Sequence, residues 1–91
     1  MHGKTAVVTG GAQGLGKAMA LGLAEAGCNI VIADLNPETL DQAVNEIKML
    51  GVKSKGIICD ISNPEDCAST LAETVKEFGK LDVVINNAVV E

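Results

Sequence analysis

The sequence predicts an α/β fold, a doubly wound parallel sheet of strand order 3-2-1-4 with helices on both faces. Two observations carry that prediction. Four short apolar runs alternate with three longer stretches of helical periodicity, so the elements read β-α-β-α-β-α-β. The runs are also apolar on both faces, as strands in the middle of a parallel sheet must be.

The first run, Thr5-Ala-Val-Val-Thr9, is short and β-branched. Asn29 to Asp34, Lys55 to Asp60 and Leu81 to Asn86 repeat its character. The first helix, from about Gly14 to Ala26, is small or apolar almost all round, with only Lys17 and Glu25 charged. Such a helix expects cover on more than one side. In the second, Asn36 caps and Pro37 opens the first turn. Leu40, Ala43, Val44, Ile47 and Leu50 form its apolar stripe, and Gly51 ends it. Asn63 and Pro64 repeat the device in the third. There Glu65 and Asp66 suit the helix dipole, Ala68, Leu71, Ala72, Val75 and Phe78 make the stripe, and Gly79 closes it.

Composition excludes several function classes. Twelve acidic against seven basic residues give a net charge of −5 in 91 residues, and Phe78 is the lone aromatic. With no Lys/Arg cluster and no aromatics to stack on bases, nucleic-acid binding is not expected. No apolar run approaches the ~20 residues of a membrane span, and no signal-peptide pattern opens the chain. Cys28, Cys59 and Cys67 are odd in number and widely spaced, which suits reduced cytoplasmic thiols rather than a disulfide framework. Together with His2 they make no metal-ligand spacing.

The sharpest motif is Thr9-Gly10-Gly11-Ala12-Gln13-Gly14-Leu15-Gly16, between the first strand and the first helix. Glycines there admit positive φ and let backbone N–H groups approach a ligand closely. The following helix start offers unpaired donors and partial positive charge to a pyrophosphate. Gly16 also permits close helix–strand packing. Asp34, at the end of the second run, can accept both hydroxyls of an adenosine ribose and repels a 2′-phosphate. No Lys or Arg lies between Gly10 and Gly16 or directly after Asp34, so NAD is favoured over NADP. Asp60 and Asn86-Asn87-Ala88 end the third and fourth runs, which places four polar strand ends on one Rossmann-like rim.

The pattern Thr9-Gly10-x-x-x-Gly14-x-Gly16, with Asp34, Asp60-Ile61 and Asn86-Asn87-Ala88, resembles the N-terminal portion of the short-chain dehydrogenase/reductase family over essentially the whole chain. The resemblance implies that Gly10, Gln13, Gly14, Leu15 and Gly16 surround the pyrophosphate and the nearby ribose. It gives Asp34 the adenosine ribose, Asp60 the adenine amino group with Ile61 beside it, and Asn87 and Ala88 the cofactor's ribose region. Asn86 becomes a brace between central strands. Two departures stand out. Val89 occupies the position where the family usually has Gly, and the family's catalytic Ser and Tyr-x-x-x-Lys lack counterparts in a chain without Tyr.

Hydride transfer to or from an alcohol needs a group that handles the hydroxyl proton. The expectation is therefore one NAD-binding domain over residues 1–91, the truncated N-terminal part of a longer oxidoreductase fold, without turnover of its own. Two alternatives remain: a non-catalytic nucleotide-binding module, and a half-fold that associates with another chain. The run Val83-Val84-Ile85 on an open sheet edge favours self-association.

Overall fold

A computed structural model of the chain describes residues 3–10, 12, 14–60 and 62–86, with Asn86 described by its backbone alone. The elements run β1 (Thr5–Thr9), α1 (Gly14–Glu25), β2 (Asn29–Asp34), α2 (Pro37–Lys48), β3 (Ser54–Ile58), α3 (Pro64–Phe78) and β4 (Val83–Asn86). All strands pair in parallel, in the order β3-β2-β1-β4. Alternation, crossover order and strand order match the sequence reading.

Strand pleating divides the core. Ala6, Val8, Ile30 and Ile32 point to one face and join Ala20, Ala24, Leu40, Ala43 and Ile47 of α1 and α2 in one cluster. Val7 and Val31, paired in register, are fully buried on the other face, where right-handed crossover puts α3. The pleat accounts for β3 as well. Lys55 sits beside Val31 and reaches Glu73 and Glu77 of α3, while Gly56 sits beside Ile32 and faces α2. A Cβ on Gly56 would lie 2.8 Å from Leu40 Cγ and 3.1 Å from Val44 Cγ2, so glycine lets α2 lie close on the sheet.

Two strands differ from expectation in their limits, β3 also starting one residue early at Ser54. The third strand stops at Ile58, short of Asp60. Cys59 N–H still donates to Asp34 O at 3.0 Å, but Asp60 N–H donates to the Asp66 carboxylate of α3, also at 3.0 Å, so the chain leaves the sheet there. The fourth strand begins at Val83 rather than Leu81. Asp82 precedes it with a reciprocal pair: Thr5 N–H donates to Asp82 Oδ2 and Asp82 N–H donates to Thr5 O, each at 2.9 Å.

The helix N-caps and the α3 C-cap are as expected, whereas α2 ends at Lys48 with Met49 as its C-cap, ahead of Gly51. Asn36 Oδ1 accepts from the N–H groups of Glu38 and Thr39, and Asn63 Oδ1 accepts from those of Glu65 and Asp66. Gly79 closes α3 in the left-handed conformation at φ 80°. The α2 stripe buries Leu40, Ala43, Val44 and Ile47, with Leu50 lying past the helix end and exposed. The expected α3 stripe needs correction. Ala68, Ala72 and Val75 are exposed, and the buried positions are Thr70 and Thr74. Each threonine donates its hydroxyl to the carbonyl four residues earlier, which satisfies the polar atom within the helix and leaves a methyl group for the core. The sheet covers α1 from below and α2 lies alongside, tied by Lys17–Glu46 at 2.8 Å, while Leu15, Ala18 and Gly22 are exposed.

Candidate functional site

The carboxyl ends of the strands form one rim. Thr9 lies in register with Ala33 on one side and Asn86 on the other, and Asp34 lies beside Ile58. The Thr9 hydroxyl donates to Ile85 O at 3.3 Å, tying the end of β1 to β4. The backbone of Asn86 is at the expected strand end.

The chain turns sharply where the glycines permit it. Gly10 has φ 68° and Gly14, opening α1, has φ 58°, both in the left-handed region that side chains disfavour. Gly10 N–H donates to Ala33 O at 2.7 Å, which pins the loop's start to β2. Gly16 is buried within α1, as close helix–sheet packing requires. The first turn of α1 contains no acidic residue, whereas α2 places Glu38 and α3 places Glu65 and Asp66 there. Alone among the three helices, α1 leaves its positive end uncompensated by its own sequence. Leu15 is exposed beside it.

Asp34 is brought against this loop. Its Oδ2 accepts from Ala12 N–H at 3.2 Å and its Oδ1 from Leu35 N–H at 2.8 Å. Each carboxylate oxygen accepts more than one bond, so the half-buried group retains capacity for a ligand hydroxyl. The loop contact gives Asp34 a structural role that its position in the sequence did not reveal: it ties the glycine turn to the end of β2. Asp60 lies farther along the rim. Its Oδ1 accepts from the Ser62 hydroxyl at 2.6 Å and from Ser62 N–H at 3.0 Å, and these bonds hold the carboxyl below its usual range.

Thus Gly10, Gly14, Leu15, Gly16 and Asp34 cluster at the β1–α1 turn, and Asp60 lies beyond the end of the neighbouring strand. Gln13, Ile61, Asn87, Ala88 and Val89 lie outside the described residues. A cleft of about 460 Å³, lined in part by Lys48, Lys53, Lys55 and Phe78, opens at the opposite rim, where β2 and β3 begin, and takes in none of the expected site residues. Among the described residues no helix is long and apolar enough to cross a membrane.

Known proteins share this arrangement. The chain is 38% identical over 87 residues to tropinone reductase-like 3 of Erythroxylum coca, covering 96% of this chain and 34% of that protein. It is 44% identical over 90 residues to 2-dehydro-3-deoxy-D-gluconate 5-dehydrogenase of Pseudoalteromonas atlantica, covering 97% and 35%. The structure of NAD+-bound xylitol dehydrogenase superposes with a TM-score of 0.93 at 37% identity, over 98% of this chain and 34% of that one. The chain thus spans about a third of the length of the relatives it matches. The family model described as short chain dehydrogenase matches residues 4–91. With the Rossmann-type sheet and the glycine turn, this match shows that the chain belongs to the short-chain dehydrogenase family.

Proposed function

We propose that residues 1–91 form the NAD-binding domain of a cytoplasmic oxidoreductase that moves hydride between a nicotinamide and an alcohol or carbonyl substrate. One observation carries the cofactor assignment: a carboxylate, Asp34, lies against the glycine turn, with its Oδ2 3.2 Å from Ala12 N. The residues present fit a dinucleotide. Positive φ at Gly10 and Gly14 and an α1 start without acidic side chains suit a pyrophosphate. Gln13, Leu15 and Gly16 are proposed for the same pyrophosphate region, and Asp60, Ile61, Asn87 and Ala88 for the adenine and ribose regions. When bound, the nicotinamide supplies hydride exchange, and this chain's residues bind and orient it. The preference for NAD over NADP rests on the Asp34 charge, which repels a 2′-phosphate with no cation beside it in sequence. The cytoplasmic assignment rests on three reduced thiols.

Calorimetric titration with NAD and NADP tests the assignment. NAD binds more tightly, and Asp34→Ala weakens it about tenfold or more, since a hydrogen bond to a charged group is worth about 1.5–3 kcal/mol. Asp34→Asn keeps one carbonyl acceptor for the Ala12 or Leu35 N–H and removes the charge, so it narrows the gap between NAD and NADP. Equal binding of both cofactors by the wild type, unmoved in either variant, overturns the assignment.

One observation favours a second reading, self-association of this chain. Among the described residues β4 pairs with β1 alone, and Val84 there is 50% exposed. An apolar strand with one open edge is a template for another strand.

A further inference from the structure

The end of β3 and the start of α3 bring two thiols together outside the dinucleotide turn. Cys59 follows β3 on its α3-facing side and is 1% exposed. Cys67, fourth residue of α3, is half-buried. The two thiols are in hydrogen-bonding contact, and the Thr70 hydroxyl also meets the Cys59 sulfur. Three local bonds fix this geometry. Asp60 N–H donates to Asp66 Oδ2 at 3.0 Å, Asn63 N–H to Asp60 O at 2.9 Å, and Cys67 N–H to Asn63 O at 3.1 Å. These bonds hold the end of β3 against the start of α3 before any covalent bond forms.

We propose that Cys59 and Cys67 are a redox modification site, which a low-molecular-weight disulfide such as oxidised glutathione converts to an intramolecular disulfide. Cys67, the more accessible thiol, loses its proton to solvent and attacks one sulfur of the small disulfide. That S–S bond breaks, a first small thiolate leaves and takes up a proton, and Cys67 carries a mixed disulfide. Cys59 then gives up its proton, its sulfur attacks Cys67 Sγ, and the second small thiol departs. Two protein thiols are oxidised by two electrons in all, and one small disulfide is reduced to two thiols. Burial raises the Cys59 thiol above its usual range, so it is a poor first attacker and acts on the mixed disulfide held against it. Cys28, fully buried just before β2, belongs to the core of the other face and takes no part.

The pair differs from a structural disulfide in being reduced at rest and joined only when the glutathione pool is oxidised, the usual pattern for redox-sensing cytosolic thiols. The bond would clamp the Asp60 segment to α3.

The test is incubation of the 91-residue chain with oxidised glutathione at mildly alkaline pH, followed by alkylation and peptide mass mapping. The expected wild-type product has lost two hydrogens, contains a Cys59–Cys67 linked peptide, and keeps one alkylatable thiol of three, Cys28. Dithiothreitol restores all three. Cys59→Ser stops at a stable glutathionyl adduct on Cys67, and Cys67→Ser gives neither ring nor adduct on the timescale of the wild-type reaction. A wild-type chain that accumulates the Cys67 adduct without ring closure overturns the proposal. Modification of Cys28 at the rate of Cys67 does the same, because the proposed selectivity depends on the folded geometry.

Discussion

A carboxyl that accepts two bonds from one neighbour has its ionised form favoured by that neighbour. Asp60 receives the Ser62 hydroxyl at 2.6 Å and the Ser62 N–H at 3.0 Å, the hydroxyl being the larger cause of its lowered pKa. A lowered folded-state pKa contributes stability above the unfolded value of about 3.9, and that contribution is lost as pH falls through the folded value. Ser62→Ala removes the stronger bond. Its expected effect is an upward move of the Asp60 midpoint toward the ordinary carboxyl range, followed by carboxyl NMR titration. A midpoint unmoved by the substitution would show that the hydroxyl bond does not set it. Asp82 titrates in the same direction, chiefly because Thr5 N–H donates to it, but nothing near Asp82 in the sequence reveals this. Its partner is 77 residues away, and only the β1–β4 register brings them together. Asp34 was legible as a strand-end carboxylate, while its bond to the loop N–H needed the folded turn.

At the scale of elements, the caps were legible because an Asn-Pro pair acts within its own first turn. Asn36→Ala and Asn63→Ala should each lower stability by about 1 kcal/mol, within the 0.5–2 kcal/mol range of lost N-caps, in urea unfolding. An unchanged midpoint in both would mean that the caps frame the helices without stabilising them. The buried face of α3 was not legible, because hydrophobic periodicity cannot anticipate threonines that satisfy their hydroxyls inside the helix, as Thr70 and Thr74 do. Nor does the sequence explain Gly56. Its value lies in the approach of Leu40 and Val44 from α2, so Gly56→Ala should cost about 1–3 kcal/mol by overpacking. The unfolding midpoint measures this too, and a neutral result would require Leu40 to change rotamer without loss.

At the scale of the molecule, the two central strands and the two edges obey different rules. Every residue of β1 is buried, whereas Ile58 at the end of β3 is 55% exposed and Val84 in β4 is 50% exposed. All four runs had read as two-face-covered strands, and chain order alone fixed which became edges, since the crossovers put β3 and β4 outermost. On β4 the consequence is testable. Two copies that pair β4 against β4 about a two-fold axis consume both β4 edges, so association through this strand closes at a dimer. Sedimentation velocity over rising concentration should show a shift from monomer toward dimer. Val84→Lys places a charge on that strand in each copy and should hold the chain monomeric with its circular dichroism unchanged. Wild type and variant sedimenting alike as monomers at every concentration would remove the basis for self-association. An open series of larger species abolished by Val84→Lys would instead place the edge in a heterologous, non-closing contact.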